Sequence, residues 1–231
     1  MKYINCEKRN NMQKKLPLPV LVRLSALYDY LTKMRGAGVL RVSSAELGAV
    51  LGQSSHTIRK DISFLGVAGT AGAKYDTGDL QTLVGKHLGF EQIRNCCIIG
   101  LGRLGSALME HFATYESGEF RVVAGFESNI NRLETLQSPI PLYPAYRIEE
   151  MLSRIQVELA MIAVPPEQAQ EVTDRCCDGG IAGIINFTPV VIRPKNDSVV
   201  VRSIDISGEL RVLSALLHTS TATVNKPSEK E

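Results

Sequence analysis

Gly100, Gly102 and Gly105 fall within residues 96–105, which read Cys-Cys-Ile-Ile-Gly-Leu-Gly-Arg-Leu-Gly. Glycines at this spacing let a backbone turn approach a pyrophosphate. The first permits a tight turn, the second gives the phosphates access to N–H groups, and the third lets the next helix pack against its strand. Leu101, Arg103 and Leu104 complete the loop as candidate nucleotide contacts, with the positive end of a helix behind them. An acidic residue, Glu127, follows 22 positions after Gly105. A ribose diol needs a hydrogen-bond acceptor at about that distance. The plainer reading is a strand–helix turn that binds nothing, but the flanks argue for a site. Residues 96–99 form a short apolar run suited to a strand covered on both faces, and Leu104, Ala107, Leu108 and Phe112 (or His111) then recur at helical spacing.

A second group of residues has a different chemistry. Ser55-His-Thr-Ile-Arg-Lys-Asp61 opens a helical stretch in which Ile58 and Ile62 face a core. That leaves Ser55, His56, Thr57, Arg59 and Lys60 outward, as base edges and phosphates require of a recognition helix. Ser44, Ser54, Ser63 and Lys74 join them as candidate DNA contacts. A solvated helical face would show the same pattern, so the charge balance matters. Residues 1–90 carry a net +7 and residues 91–231 a net −5, within a total of +2. A basic N-terminal part suits a polyanion, because neutralising phosphates dominates nucleic-acid affinity.

Other chemistries find little support. The four histidines are scattered and the five cysteines match no zinc spacing, so no metal is expected. Cys96-Cys97 and Cys176-Cys177 lie in segments read as a buried strand and a helix, which suits reduced thiols in the cytoplasm. An NAD-dependent oxidoreductase is the competing enzyme reading. The residues after Glu127 offer no His/Asp or Tyr/Lys set for proton transfer, and little chain is left for a substrate domain. No apolar stretch has the length of a membrane span, and no signal-peptide core is expected.

The elements that must position these residues fall into two groups. Residues 1–15 read as a flexible basic arm and 16–89 as a first domain. In it, a helix over 17–35 carries Val20, Leu24, Leu27, Tyr28 and Leu31 on one face and stops at Gly36-Ala-Gly38. Ser43-Ser-Ala-Glu46 is a capping box that opens a short helix over 45–51. After Gly52, Ser54 or Ser55 caps a third helix running to about Leu65. Gly66, Gly69 and Gly72 then read as a hairpin, the wing of a winged helix, before a helix over 77–88. Residues 90–206 alternate strand and helix, with strands near 96–100, 121–126, 159–164, 182–186 and 199–204. Helices are expected near 104–115, 130–136, 147–155 and 166–178. The pattern predicts an α/β protein: a winged helix followed by a Rossmann-type parallel sheet. Residues 207–218 form a terminal helix bearing Leu210, Leu213, Leu216 and Leu217, and residues 219–231 a polar, disordered tail.

This arrangement resembles the Rex family of redox-sensing transcriptional repressors over residues 16–217. The matching pieces are Arg59-Lys60-Asp61, Gly100-Leu-Gly-Arg-Leu-Gly-Ser106, Val164-Pro165, Asn186-Phe-Thr-Pro189 and Val201-Arg-Ser-Ile-Asp205. The resemblance implies a homodimer that binds pseudo-palindromic operator DNA with NAD⁺ or no ligand and releases it when NADH binds. It implies a C-terminal helix swapped between subunits and a cofactor, NAD(H), held by residues 100–105 and Glu127. Val164 and Pro165 would flank the cofactor, and Asn186, Phe187, Thr188 and Pro189 would lie near the nicotinamide.

Three positions depart from the family pattern. Asp29 stands between Tyr28 and Tyr30, where the family carries an arginine that pairs with the aspartate aligned to Asp205. Two carboxylates repel instead of pairing. Ala71 replaces a wing arginine, with Lys74 two residues past Gly72 as a partial substitute. Glu127 stands for the usual aspartate, and with no arginine near it NAD(H) is expected over NADP(H). These departures keep open a repressor with lost or altered nucleotide response, including one that senses a CoA-type ligand.

Overall fold

The computed structural model describes residues 16–67, 72, 74–114 and 118–224. The expected arm at 1–15, wing positions Gly69 and Ala71, and the tail from 225 lie outside the described residues. The chain divides into two compact units, Met1–Gln92 and Ile93–Glu231.

The first unit is built on α1 (Leu18–Gly36), which starts just after Pro17. Its apolar residues recur three and four apart, so Val20, Leu24, Leu27 and Leu31 share one buried face. Tyr28 is only half-buried and packs edge-on against Phe90. Next come β1 (Arg41–Ser43), α2 (Ser44–Leu51) and α3 (Ser55–Ser63). The capping box forms as expected: the Glu46 N–H donates to Ser43 Oγ at 3.2 Å, and the Ser43 N–H donates to the Glu46 carboxylate at 2.6 Å. The turn into α3 needs Gly48, where a Cβ would sit 2.4 Å from the Gln53 carbonyl oxygen. β2 (Lys74–Asp76) and α4 (Thr77–Leu88) complete the unit. Leu47, Ile58, Ile62, Leu80 and Val84 meet the α1 face in a single core.

The turn of the expected wing hairpin lies outside the described residues. Its far end forms β2, which pairs with β1, antiparallel with Val42 opposite Tyr75. A three-residue strand is too short to leave a pattern of alternation, so β1 goes unread in the sequence.

In the second unit the six strands are β3 (Arg94–Ile99), β4 (Phe120–Glu127), β5 (Leu142–Pro144), β6 (Leu159–Ile162), β7 (Gly183–Asn186) and β8 (Val200–Ser203). They form one parallel sheet in the order β5-β4-β3-β6-β7-β8. This is the dinucleotide-fold order, with its reversal between β3 and β6. Edge strand β5, missed in the sequence, extends the sheet by three residues. The intervening helices are α5 (Arg103–Thr114), α6 (Ile130–Thr135), α7 (Ile148–Arg154) and α8 (Ala169–Asp178).

Alternation along β3 sorts its side chains into two cores. Cys97 and Ile99 join Phe126, Ile162 and Cys176 on one face, while Cys96 and Ile98 join Leu101, Met109 and Met161 on the other. The vicinal cysteines are therefore on opposite sides of the sheet. Burial pushes the Cys96 thiol up to about 11 and Cys176 to about 12, and holds Cys97 well above its ordinary value. These thiols fill space and stay protonated.

The last helix, α9 (Ile206–Val224), runs past its expected end at 218 into the polar segment read as a disordered tail. Leu210 and Leu213 on it are 62% and 53% exposed. Among the described residues no helix is long and apolar enough to cross a membrane.

Candidate functional site

The glycine loop sits where the sheet order reverses. Gly100 has φ +88°, and a Cβ there would lie 2.7 Å from the Ala163 carbonyl oxygen and 2.8 Å from Val164 Cγ1. The backbone ends of β3 and β6 thus close on each other and leave no room for a side chain. At Gly105 a Cβ would sit 1.9 Å from the Gly100 carbonyl oxygen, so α5 can start only with glycine in that position. Gly102 has nothing within 4 Å of its missing Cβ and faces open space. The three glycines therefore do three different things: turn, opening and close packing. Arg103 and Leu104 are exposed beside the opening, while Leu101 is fully buried.

Leu101 anchors the loop through both its backbone N–H and its backbone carbonyl. Its N–H donates to Glu127 Oε2 at 2.9 Å. Its carbonyl accepts from Arg132 Nε at 2.7 Å and from Ser106 Oγ at 2.9 Å, and Arg132 Nη2 also reaches Ser106 Oγ at 3.3 Å. Glu127 is buried at the end of β4, and its Oε1 accepts from the Ser128 N–H, the Asn129 N–H and Ser128 Oγ at 2.8, 3.0 and 3.3 Å. The carboxylate is thus the clasp between β4 and the glycine loop.

Arg132 overturns the expectation that no arginine stands near Glu127. The short α6, capped by Asn129, turns the chain back toward the loop and brings Arg132 to a residue 31 positions away. Its signal in the sequence was its place five residues after Glu127, within the stretch read as a helix over 130–136. Ser106 was quoted in the loop motif, but its part in the bracing could not be read there.

Val164 lies against Gly100, and Pro165 follows it, exposed. Residues 186–189 divide in two. Asn186 is fully buried; its Nδ2 donates to the Val190 carbonyl at 2.8 Å, and its Oδ1 accepts from the Thr188 N–H and Oγ1 at 2.9 and 2.7 Å. Asn186 and Thr188 therefore shape the loop from within. Phe187 packs against the core that holds Ile98, Leu101 and Met161, and Pro189 is exposed.

In the first unit the Arg59-Lys60-Asp61 run splits three ways. Asp61 turns inward, 2% exposed, and accepts both arms of Arg23 from α1 at 2.6 and 2.8 Å. Arg59 Nη1 donates to Ser44 Oγ at 3.1 Å, so both of these expected DNA contacts are tied to each other and Ser44 is buried. Lys60 and His56 are exposed. Ser54 caps α3, accepting from the Thr57 N–H at 3.1 Å, and its hydroxyl also lies 2.9 Å from Thr57 Oγ1. Ser55 is half-buried, Ser63 donates to the Lys60 carbonyl at 2.6 Å, and Lys74 is exposed on β2. Arg23 was missed. Its signal was an aspartate on the apolar face of α3, between Ile58 and Ile62, which demands a buried cation.

The two carboxylates that stand where the family has an ion pair have separate surroundings. Asp29 is exposed on α1. Asp205 caps α9, accepting from the Gly208 N–H at 2.9 Å and from Arg211 Nη2 at 3.1 Å.

Comparison with known proteins agrees with both halves of this description. Residues 15–63 match the family described as putative DNA-binding protein N-terminus, and residues 91–190 match the CoA binding domain family. A redox-sensing transcriptional repressor Rex of Levilactobacillus brevis is 37% identical over 201 residues, covering 87% of this chain and 94% of the relative. The Rex protein of Ligilactobacillus salivarius is 36% identical, covering 88% and 95%. Among solved structures, the Rex-family repressor RSP in complex with β-NAD⁺ and operator DNA superposes with a TM-score of 0.81 at 27% identity, covering 94% of this chain and 99% of RSP. RSP with β-NADH gives 0.78 at 25% identity, covering 90% and 97%. Relatives this similar, matched along nearly their full length, share more than a nucleotide fold, and the chain belongs to the Rex family of redox-sensing transcriptional repressors.

Proposed function

We propose that this chain is a DNA-binding repressor that reads the NADH/NAD⁺ ratio. It binds operator DNA with NAD⁺ or without ligand and releases it on binding NADH. The observation that carries this reading is a glycine loop open at Gly102, at the reversal point of a dinucleotide-type sheet, in the same chain as a capped helix-turn-helix. The solved complexes of RSP with NAD⁺ plus operator DNA, and with NADH, support it. The nucleotide acts as a signal and is not turned over. The protein works in the cytoplasm as a homodimer on pseudo-palindromic DNA. The α9 helix, with Leu210 and Leu213 largely exposed in the single chain, is exchanged between the two subunits.

NADH lacks the positive charge of the oxidised nicotinamide and would lie more favourably against the apolar ring of Phe187. Only a difference in affinity between two conformations can move the equilibrium. A near-complete switch needs about 10⁴-fold preference, roughly 5.5 kcal/mol. The test is fluorescence anisotropy with a duplex selected by the protein from a random pool. Saturating NADH should weaken binding at least a hundredfold while NAD⁺ leaves it intact.

A second reading, a Rex-type repressor with altered nucleotide response, rests on Asp29 and Asp205. Asp205 already has a cationic partner in Arg211, and Asp29 supplies a second negative charge. Unchanged DNA affinity at saturating NADH decides for this reading.

A further inference from the structure

The rim of the glycine loop holds an acid and a base whose hydrogen bonding is unequal. A carboxylate offers about four acceptor positions. Glu127 fills them with the N–H groups of Leu101, Ser128 and Asn129 and the Ser128 hydroxyl. Little capacity remains for two ribose hydroxyls, and three of the four donors belong to the backbone and cannot turn away. Arg132 is the opposite case. Nε and Nη2 are used on Leu101 and Ser106, and Nη1 has no hydrogen-bond partner among the described residues. A guanidinium fixed by two bonds, with donors to spare, is preorganised for a phosphate. In dinucleotide folds an acid at this place selects a free 2′-hydroxyl and a nearby arginine accommodates a 2′-phosphate.

We infer that Arg132 is a specificity-determining residue that admits a phosphorylated adenosine ribose at the same site as NAD(H). The ligand class is an adenine nucleotide carrying a ribose monophosphate: the 2′-phosphate of NADP(H) or the 3′-phosphate of coenzyme A. Glu127 serves as the clasp of the loop, and Arg132 supplies the charge. The inference rests on the glycine loop being the nucleotide site.

The test is isothermal titration of the full chain and its Arg132→Ala, Arg132→Gln and Arg132→Lys variants with two ligand pairs. One pair is NADH and NADPH; the other is dephospho-coenzyme A and coenzyme A. Within each pair the ratio of dissociation constants isolates the phosphate, because any loosening of the loop weakens both members alike. Alanine and glutamine should shift the ratio of at least one pair against the phosphorylated member fivefold or more, and lysine should largely restore it. The pair that responds identifies which phosphate is read. Ratios that move less than fivefold in both pairs overturn the inference and leave Arg132 as a brace. NADH binding without a ratio change removes only this inference, whereas absence of NADH and NAD⁺ binding removes the proposed function.

Discussion

On α3, the side chains of Lys60 and His56 stand in solvent with no hydrogen-bond partner among the described residues. Around the glycine loop, Glu127, Arg132 and Ser106 are all tied to the backbone of the single residue Leu101. On the proposed function, the two units would meet phosphate in opposite ways. A DNA backbone is a long polyanion that can be met by solvated, adjustable cations, and the affinity comes from released counterions. A dinucleotide has only two backbone phosphates, and a small ligand rewards donors already held in place. Polar groups around the glycine loop are fixed by short bonds, and the open space beside it is left by what is missing at Gly102.

The largest effect should come from breaking that space. Gly105→Ala places a methyl 1.9 Å from the Gly100 carbonyl oxygen, a clash with backbone that only a rearranged loop can relieve. NADH binding should fall by more than about 1,000-fold, equivalent to roughly 4 kcal/mol. Gly102→Ala adds the same methyl to open space, so the protein should melt within about 2 °C of the parent, as expected for a change without a named destabilising mechanism. Titration calorimetry and thermal melts of the two variants check this. If Gly105→Ala binds NADH like the parent, preorganisation of the second unit is not what supports binding.

The next effect lies in the first unit, at a place where it behaves like the second. Asp61 is 3% exposed at its side chain and held by Arg23, itself 26% exposed. Arg23→Ala leaves a buried carboxylate without its cation, which should cost about 3 kcal/mol. Because Asp61 lies between Ile58 and Ile62, α3 would loosen from α1 and DNA affinity would fall together with stability. Urea denaturation followed by circular dichroism measures the first, and anisotropy the second. A loss below 1 kcal/mol would mean that water already shares the Asp61 charge, and would weaken the contrast between the units.

Much of this architecture can be read along the chain because its signals are local. Val20, Leu24, Leu27 and Leu31 repeat with the helical period, Ser43 and Glu46 form a box three residues apart, and the glycine loop occupies six residues. What escaped the sequence reading is what depends on distant partners. Strands β1 and β5 are three residues long and exist through their neighbours in the sheet. Arg23 and Asp61 are 38 residues apart, and Arg132 and Leu101 are 31 apart, so no spacing rule connects them. Asn186, Thr188, Ser44 and Arg59 have types that suit a ligand, and only the fold shows their bonds turned inward or to each other. The motif residues were thus legible as positions, while which of them remain free for a ligand was decided by packing.

The smallest effect sharpens the comparison from the DNA side. Lys60 is exposed, without a side-chain hydrogen bond among the described residues, and next to a residue whose carboxylate is buried. If it neutralises one phosphate, Lys60→Ala should lower the slope of log affinity against log salt by about 0.9. The loss should be similar for operator and unrelated duplexes, because a phosphate contact carries no base information. NADH affinity measured without DNA should not change, since Lys60 is exposed on α3 and has no part in the glycine loop. Anisotropy at five salt concentrations with both duplexes gives the slope. An unchanged slope would remove Lys60 from the phosphate contacts, and the electrostatic reading of this helix would then rest on His56 and on Lys74 of β2. A loss confined to the operator would instead make Lys60 a reader of bases, and the first unit would share the fixed geometry of the second.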